Sequence, residues 1–261
     1  MTTTHLRIAI SGTYSTGKTT TTEALSIATG IPRTDALTAR QITLDLFPGK
    51  RFQDLTASNL LALGLRRLEE RIQSEAVQQS GYISDGSVLH EWIYGQARLR
   101  VGINPGAPPL TRALTGISGI PAKPFLRQYL SAYGHVVKAR AREQYDAFVH
   151  LPLESTMDPD GHRPVSEKYR RVSDEMLRAA PAELGITCHV VGGSVRDRLA
   201  RIIDIFGLPV EVDVDEAIAL AGERLRRGRE ALAERQLASL PARSTRKARI
   251  SGRPPHRPLF L

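Results

Sequence analysis

A chain of 261 residues, 41% hydrophobic and 24% charged, has the size and composition of one sizeable α/β domain, alone or with a tail. No apolar run approaches the ~18 residues of a membrane span, and the single cysteine, Cys188, rules out an intrachain disulfide or a cysteine-based metal site. The formal charge of +9 invites a nucleic-acid reading, but residues 222–261 hold eleven Lys and Arg against three Glu, which leaves the first 221 residues nearly neutral. The basicity belongs to a tail, so a nucleic-acid enzyme is not expected and any nucleic-acid contact would be weak and made through that tail.

The apolar run Leu6-Arg-Ile-Ala-Ile10 predicts a strand over 6–11, so close to Met1 that no secretory signal is expected. Gly12-Thr-Tyr-Ser-Thr-Gly-Lys-Thr19 follows and leads into a predicted helix over 18–29 that Gly30 closes. This is G-x-x-x-x-G-K-[ST] between a strand and a helix, the context that makes the pattern a phosphate-binding loop. Gly12 and Gly17 let the backbone curl so that successive N–H groups, from Thr13, Tyr14, Ser15 and Thr16 onward, point inward as a nest for phosphate oxygens. The helix start at Lys18, Thr19 and Thr20 adds unpaired N–H groups and the positive end of a dipole. Lys18 supplies a mobile charge for the β- and γ-phosphates, and the Thr19 hydroxyl is a ligand for Mg²⁺. The β-branched run Thr19–Thr22 is a poor way to start a helix, which favours a functional reason for it. The expected ligands are ATP and Mg²⁺.

Ile31–Asp35 reads as a small strand, Ala36–Leu46 as a helix stopped before Pro48-Gly49, and 54–79 as a long helix with Leu61, Leu65, Leu68, Ile72 and Ala76 on one face. Tyr82–Asp85 is a strand by its place between helical patterns, and Val88–Arg100 returns to helical spacing. Residues 101–123 form a Gly/Pro-rich segment, and a loop of that length is usually functional or mobile. A helix then runs from Pro124 to Gln144, a strand over 146–151, an irregular stretch over 152–164, and a helix from the Ser166 cap to Ala180. Ile186–Val191 is the last strand, followed by a helix from Ser194 to Phe206. One more helix starts at Asp213 or Asp215, and its apolar spacing thins beyond Gly228. The chain therefore divides into a nucleotide-binding domain over 1–221 and a basic tail over 222–261 expected to be disordered.

Ligands of an open parallel sheet gather at the carboxyl ends of its strands. Asp85 ends one such strand and can hold Mg²⁺ or take a proton from an attacking hydroxyl; the bland alternative is a cap for the helix that follows. Glu154 is a competing carboxylate. Arg163 stands on the loop 158–164, where a guanidinium can close over a triphosphate, while Lys168, Arg170 and Arg171 read as a solvated helix face. Gly193, in Gly192-Gly193-Ser194, either lets the backbone approach an adenine ring or serves only as a tight turn.

The order of Gly12–Thr19, Ser84-Asp-Gly-Ser87 with Trp92-Ile-Tyr94, Asp160-Gly-His-Arg163, and Val191-Gly-Gly with Arg196–Arg198 resembles the P-loop kinases of the ribosylnicotinamide kinase type, a group described as a small AAA-like ATPase domain. The resemblance covers about residues 5–206. It implies a three-layer α/β/α fold around a five-stranded parallel sheet of order 2-3-1-4-5, with Lys18, Asp85 and Arg163 as catalytic residues, Thr19 and Asp85 at the metal, and residues 152–171 as a lid. The acceptor would lie among residues 33–40, the Asp85–Arg98 helix and the segment 101–145. One departure is Gly86, where many nucleoside and nucleotide kinases carry an arginine directly after the acid.

The expected activity is transfer of the γ-phosphoryl group of ATP to a hydroxyl of a nucleoside-like or natural-product-like small molecule, by a cytoplasmic monomer or homodimer. The alternative is an ATPase or GTPase acting as a nucleotide-dependent switch, although the chain lacks N-K-x-D and has no D-x-x-G directly after a predicted strand. A third reading is a nucleotide-dependent binding protein whose tail docks on RNA or an anionic surface.

Overall fold

A computed structural model describes residues 6–50, 54–78, 80–102, 123–154 and 166–239. Its parallel sheet has the order β2-β1-β3-β4, with β1 Arg7–Ser11, β2 Tyr82–Asp85, β3 Ala147–His150 and β4 Thr187–Val190. The register pairs Ile10 with Asp85, Ser11 with His150, and His150 with Val190, so all four strands end along one edge. Successive residues of a strand face opposite sides. Ala9, Tyr82 and Phe148 accordingly face α4 (Leu89–Val101), α5 (Lys123–Gln144) and α6 (Glu167–Glu183). Ile8, Ile10, Ile83, Val149 and Leu151 face α1 (Lys18–Thr29), α7 (Val195–Phe206) and α8 (Val214–Ser239). Burial on both sides is why the central strands read as apolar runs. Two further helices, α2 (Ala39–Leu46) and α3 (Ala57–Ala76), share a small core of Ile42, Leu55 and Leu63.

The expected fifth strand is not formed as a strand. Residues 31–35 contribute one parallel bridge, Arg33 to Ile83, made by Ile83 N–H to Pro32 O and Thr34 N–H to Ile83 O, both 2.9 Å. Pro32 has no N–H with which to lengthen the ladder, and the chain turns to cap α2 at Thr38. The bridge lies beside β2, where the order 2-3-1-4-5 would put that strand.

The expected boundary at 221–222 falls inside α8. Ala217 and Ala221 are fully buried, and Arg224 pairs with the buried Glu23 of α1 at 3.2 Å, so this helix is part of the α1 face. Its later turns are largely exposed and carry Glu223–Arg227 and Arg226–Glu230 pairs four residues apart. Such pairs support a solvated helix without apolar periodicity, which is why the pattern fades beyond Gly228. Residues 240–261 lie outside the described residues, as do 103–122 and 155–165, and with them Arg163. No described helix is long and apolar enough to cross a membrane.

Arg7 ties the start of β1 to the start of β3. Its backbone N–H donates to Asp146 Oδ2 at 2.8 Å and its Nη2 to Oδ1 at 2.8 Å. The Arg7 side-chain hydrogen bonds hold the Asp146 carboxyl below its ordinary pKa. A depressed folded-state pKa contributes stability above the unfolded carboxyl's pKa, and that stability is lost as pH falls through the folded value. Both side chains are about a third exposed, so solvent screening limits the pair to at most about 1 kcal/mol. Denaturant titration of Asp146→Asn should show a deficit of that size at neutral pH that closes in acid. A pH-independent deficit would place the effect in packing instead.

Candidate functional site

The carboxyl edge of the sheet is dominated by the turn between β1 and α1. Gly12 has φ 144°, and a Cβ there would stand 2.6 Å from Thr16 Oγ1 and 2.7 Å from Leu151 O, so only glycine fits the close approach. Ser15 and Gly17 also take positive φ, 62° and 85°, which curls the loop. At the N-terminus of α1, Gly17 is the cap residue, no side chain caps it, and the first intrahelical bond is Thr21 N–H to Gly17 O at 2.9 Å. Helices α2, α3 and α7 instead close their first turns with capping boxes. The open first turn of α1 and the curled loop are therefore a cradle of N–H donors with the chemistry of an anion site.

Around the cradle, Thr13 Oγ1 hydrogen-bonds Ser173 Oγ on α6 at 2.8 Å, and Thr16 Oγ1 donates to Thr13 O at 3.1 Å. Lys18 Nζ donates to Thr13 O at 2.6 Å and so lies across the loop. The Tyr14 side chain leaves the loop and stacks on Tyr94 of α4, ring centroids 4.5 Å apart, with Tyr169 of α6 at 6.2 Å. Tyr14 thus offers its backbone to the cradle and its ring to the core; burial pushes its phenol pKa up.

Asp85 joins the loop directly. Thr19 Oγ1 donates to Asp85 Oδ2 at 2.6 Å, bringing together the two residues expected at a metal. The capping alternative for Asp85 fails, because the N-cap of α4 is Val88 and no side chain caps it. From behind, the nearly buried Arg71 of α3 donates to Asp85 O and to Ser84 Oγ, both at 2.9 Å, and fixes the end of β2. Among the described residues no group of three His, Cys, Asp or Glu could cage a metal. A hydroxyl and one carboxylate beside a phosphate cradle do suit Mg²⁺, which keeps waters and phosphate oxygens as its other ligands. Nearby His90 is buried and accepts the Ser87 N–H on Nδ1 at 2.9 Å. Burial first, then the charges of Lys18, Arg71 and Arg67, drive its pKa well below the ordinary value, so it is neutral with its proton on Nε2.

Two arginines brace the loop from its carbonyl side. Arg170 of α6 is fully buried and donates from Nε to Tyr14 O at 3.2 Å, with Nη1 on Glu167 at 2.9 Å. Arg198 of α7 donates from Nη1 to Thr16 O at 2.7 Å and from Nη2 to Glu154 Oε2 at 2.9 Å. Ser15, Thr16 and Gly17, with Pro152, Glu154 and both arginines, line a cavity of about 270 Å³. A larger cavity of about 480 Å³ between α4 and α6, with Trp92, Gln96 and Glu175 in its wall, contains none of the loop.

Of the expected residues, Gly12–Thr20 and Asp85 meet at one place, and Gly193 borders it through Glu154, which accepts its N–H. Glu154 is therefore tied to Gly193 and Arg198 and does not substitute for Asp85. Lys168 and Arg171 are exposed, as a solvated face requires, but Arg170 is not. Its burial was legible in the inward stripe Arg170, Ser173, Leu177 and Ala180. Arg198 lies likewise beside Leu199 and one turn before Ile202, both fully buried. The contacts of both arginines with the loop have no sequence signal.

No curated protein matches this chain. Among solved structures, the crystal structure of NadR protein in complex with NAD and AMP-PNP is similar at 15% identity and a TM-score of 0.47. The similarity covers 80% of this chain and 51% of that one, so this chain spans about half its length. The sequence model of the AAA domain matches residues 7–198, from the first residue of β1 through the phosphate loop, Asp85 and Gly193 to Arg198. On that match the chain belongs to the AAA-domain family of P-loop proteins.

Proposed function

We propose that this protein is an ATP-dependent kinase that transfers the γ-phosphoryl group to a hydroxyl of a small molecule. The observation that carries the reading is the 2.6 Å hydrogen bond from Thr19 to Asp85, beside the uncapped start of α1 and Lys18. Phosphoryl transfer asks little of a protein beyond positioning and charge, and this edge of the sheet offers both. The loop N–H groups and Lys18 hold the phosphates. Mg²⁺, anchored through Thr19 and Asp85, would neutralise charge on the β- and γ-oxygens. As the acceptor oxygen bonds to the γ-phosphorus, the bond to the β–γ bridging oxygen breaks and ADP leaves. The hydroxyl proton passes to the Asp85 carboxylate or through it to water. Tyr14, Tyr94 and Tyr169, with Arg98 over the Tyr169 ring at 5.2 Å, join the loop to the α4 side, where the acceptor is expected.

The test is ADP release over a panel of hydroxyl-bearing metabolites, nucleosides and natural products. Hydrolysis without an acceptor should be slow, because such a site gains from closure only when the acceptor displaces water, and a suitable alcohol should accelerate it. Brisk hydrolysis that no alcohol stimulates would favour the nucleotide-dependent switch.

A further inference from the structure

One carboxylate in the wall of the 270 Å³ cavity beside the loop takes up two neighbouring donors. Glu154 accepts the Gly193 N–H through both oxygens, at 2.9 and 3.1 Å, and Arg198 Nη2 at 2.9 Å. These bonds hold its carboxyl below the ordinary pKa, first through Gly193 and then through Arg198. The carboxylate lies close over Gly192, where a Cβ would stand 2.1 Å from Glu154 Oε1 and would turn that side chain aside. The two partners of the ion pair are unequal. The Arg198 side chain is 9% exposed and anchored by Nη1 on Thr16 O, whereas the Glu154 side chain is 44% exposed. Arg198 Nε is buried and has no partner among the described residues. A cation that cannot move, incompletely satisfied and beside the loop, therefore faces an anion that can turn into water at little cost.

A guanidinium and a backbone N–H are the donor types that hold phosphate oxygens and the acceptor edge of a base. We propose that Arg198 and the Gly193 N–H are nucleotide-contacting donors, and that Glu154 competes with the nucleotide for them and so sets the affinity of the site. The proposal rests on the nucleotide reading of the loop. A nucleotide entering the cavity brings negative charge to Arg198, and the Glu154 carboxylate swings outward. Arg198 changes partners without moving, and keeps its hold on Thr16.

The experiment measures the affinity of the full chain for Mg²⁺·AMP-PNP by calorimetry. It compares the parent with Glu154→Gln, Arg198→Met, the double variant and Lys18→Ala. Glu154→Gln should bind about three- to tenfold tighter, the scale of a partly exposed charge pair in competition. Arg198→Met should bind more weakly, and the gain from Glu154→Gln should shrink in its presence, as for any two groups that act through each other. Unchanged or weaker binding by Glu154→Gln overturns the proposal, as does a gain undiminished by Arg198→Met, which would be a general charge effect. If Arg198→Met does not fold, Arg198→Lys takes its place in the cycle, since it keeps a charge but loses the two-nitrogen geometry. Binding by the parent that Lys18→Ala abolishes, without a gain in Glu154→Gln, overturns the proposal and leaves the nucleotide reading of the loop standing. If none of the proteins binds AMP-PNP, the nucleotide reading itself falls.

Discussion

Lys18→Ala should lower phosphoryl transfer by about 10²- to 10³-fold, the usual loss when one charge-stabilising donor is removed from a preorganised site. The side chain is half-buried and one Nζ bond is to Thr13 O, within its own loop, so its removal opens no core cavity. Lost stability should therefore stay near the ~0.5–1.5 kcal/mol of an ordinary hydrogen bond, visible as a small shift in thermal midpoint. The loss should appear both in kcat and in the affinity for Mg²⁺·AMP-PNP, because the same ammonium serves ground state and transition state. A variant that unfolds would make Lys18 a structural residue, and one with near-normal turnover would remove the loop from the chemistry.

Asp85→Asn should be comparable or larger in effect and different in kind. An amide oxygen can still accept the Thr19 hydroxyl, and Asp85 caps no helix, so thermal stability should hardly change. The amide can neither take a proton nor offer a metal shell a negative charge. General-base assistance is worth ~10²- to 10⁴-fold, and kcat should fall by about that much while acceptor KM changes little. If the carboxylate serves mainly the metal, raised Mg²⁺ should recover part of the loss; if it serves the proton, Mg²⁺ should recover none. Turnover insensitive to this substitution would leave Asp85 outside the reaction and return the site to a switch-like hydrolase.

The wider charge pattern bears on both results. Among the described residues, Lys18, Arg71, Arg170 and Arg198 lie around the loop, with Asp85, Glu154 and Arg170's partner Glu167 as the carboxylates beside them. An excess of fixed positive charge at a strand-end cradle favours a polyanionic ligand before any specific contact is made. Burial first, and then the charges of Lys18, Arg71 and Arg67, keep His90 neutral, so His90 should not add a protonation step of its own near neutral pH.

Where local chemistry decides the backbone, the sequence alone determined the outcome. Gly12, Gly17 and Gly30 bound the loop and α1 because positive φ and close approach demand glycine there, and the predicted helix over 18–29 coincides with Lys18–Thr29. The apolar runs marked β1 and β3 because these central strands are buried on both faces, and the motif order pointed to the AAA-like group to which the chain belongs. Tertiary structure alone decided what depends on contacts between distant residues. The strand at 31–35 shrank to one bridge because Pro32 offers no donor and the chain must turn to cap α2. Residues 222–239 became helix because α1 covers the first turns of α8, and charge pairs carry the rest without an apolar period. Arg170 and Arg198 became loop braces, and Glu154 the partner of Gly193, through contacts spanning 156, 182 and 39 residues. A side chain's period along a helix says that it points inward; only the packed neighbour says what it meets there.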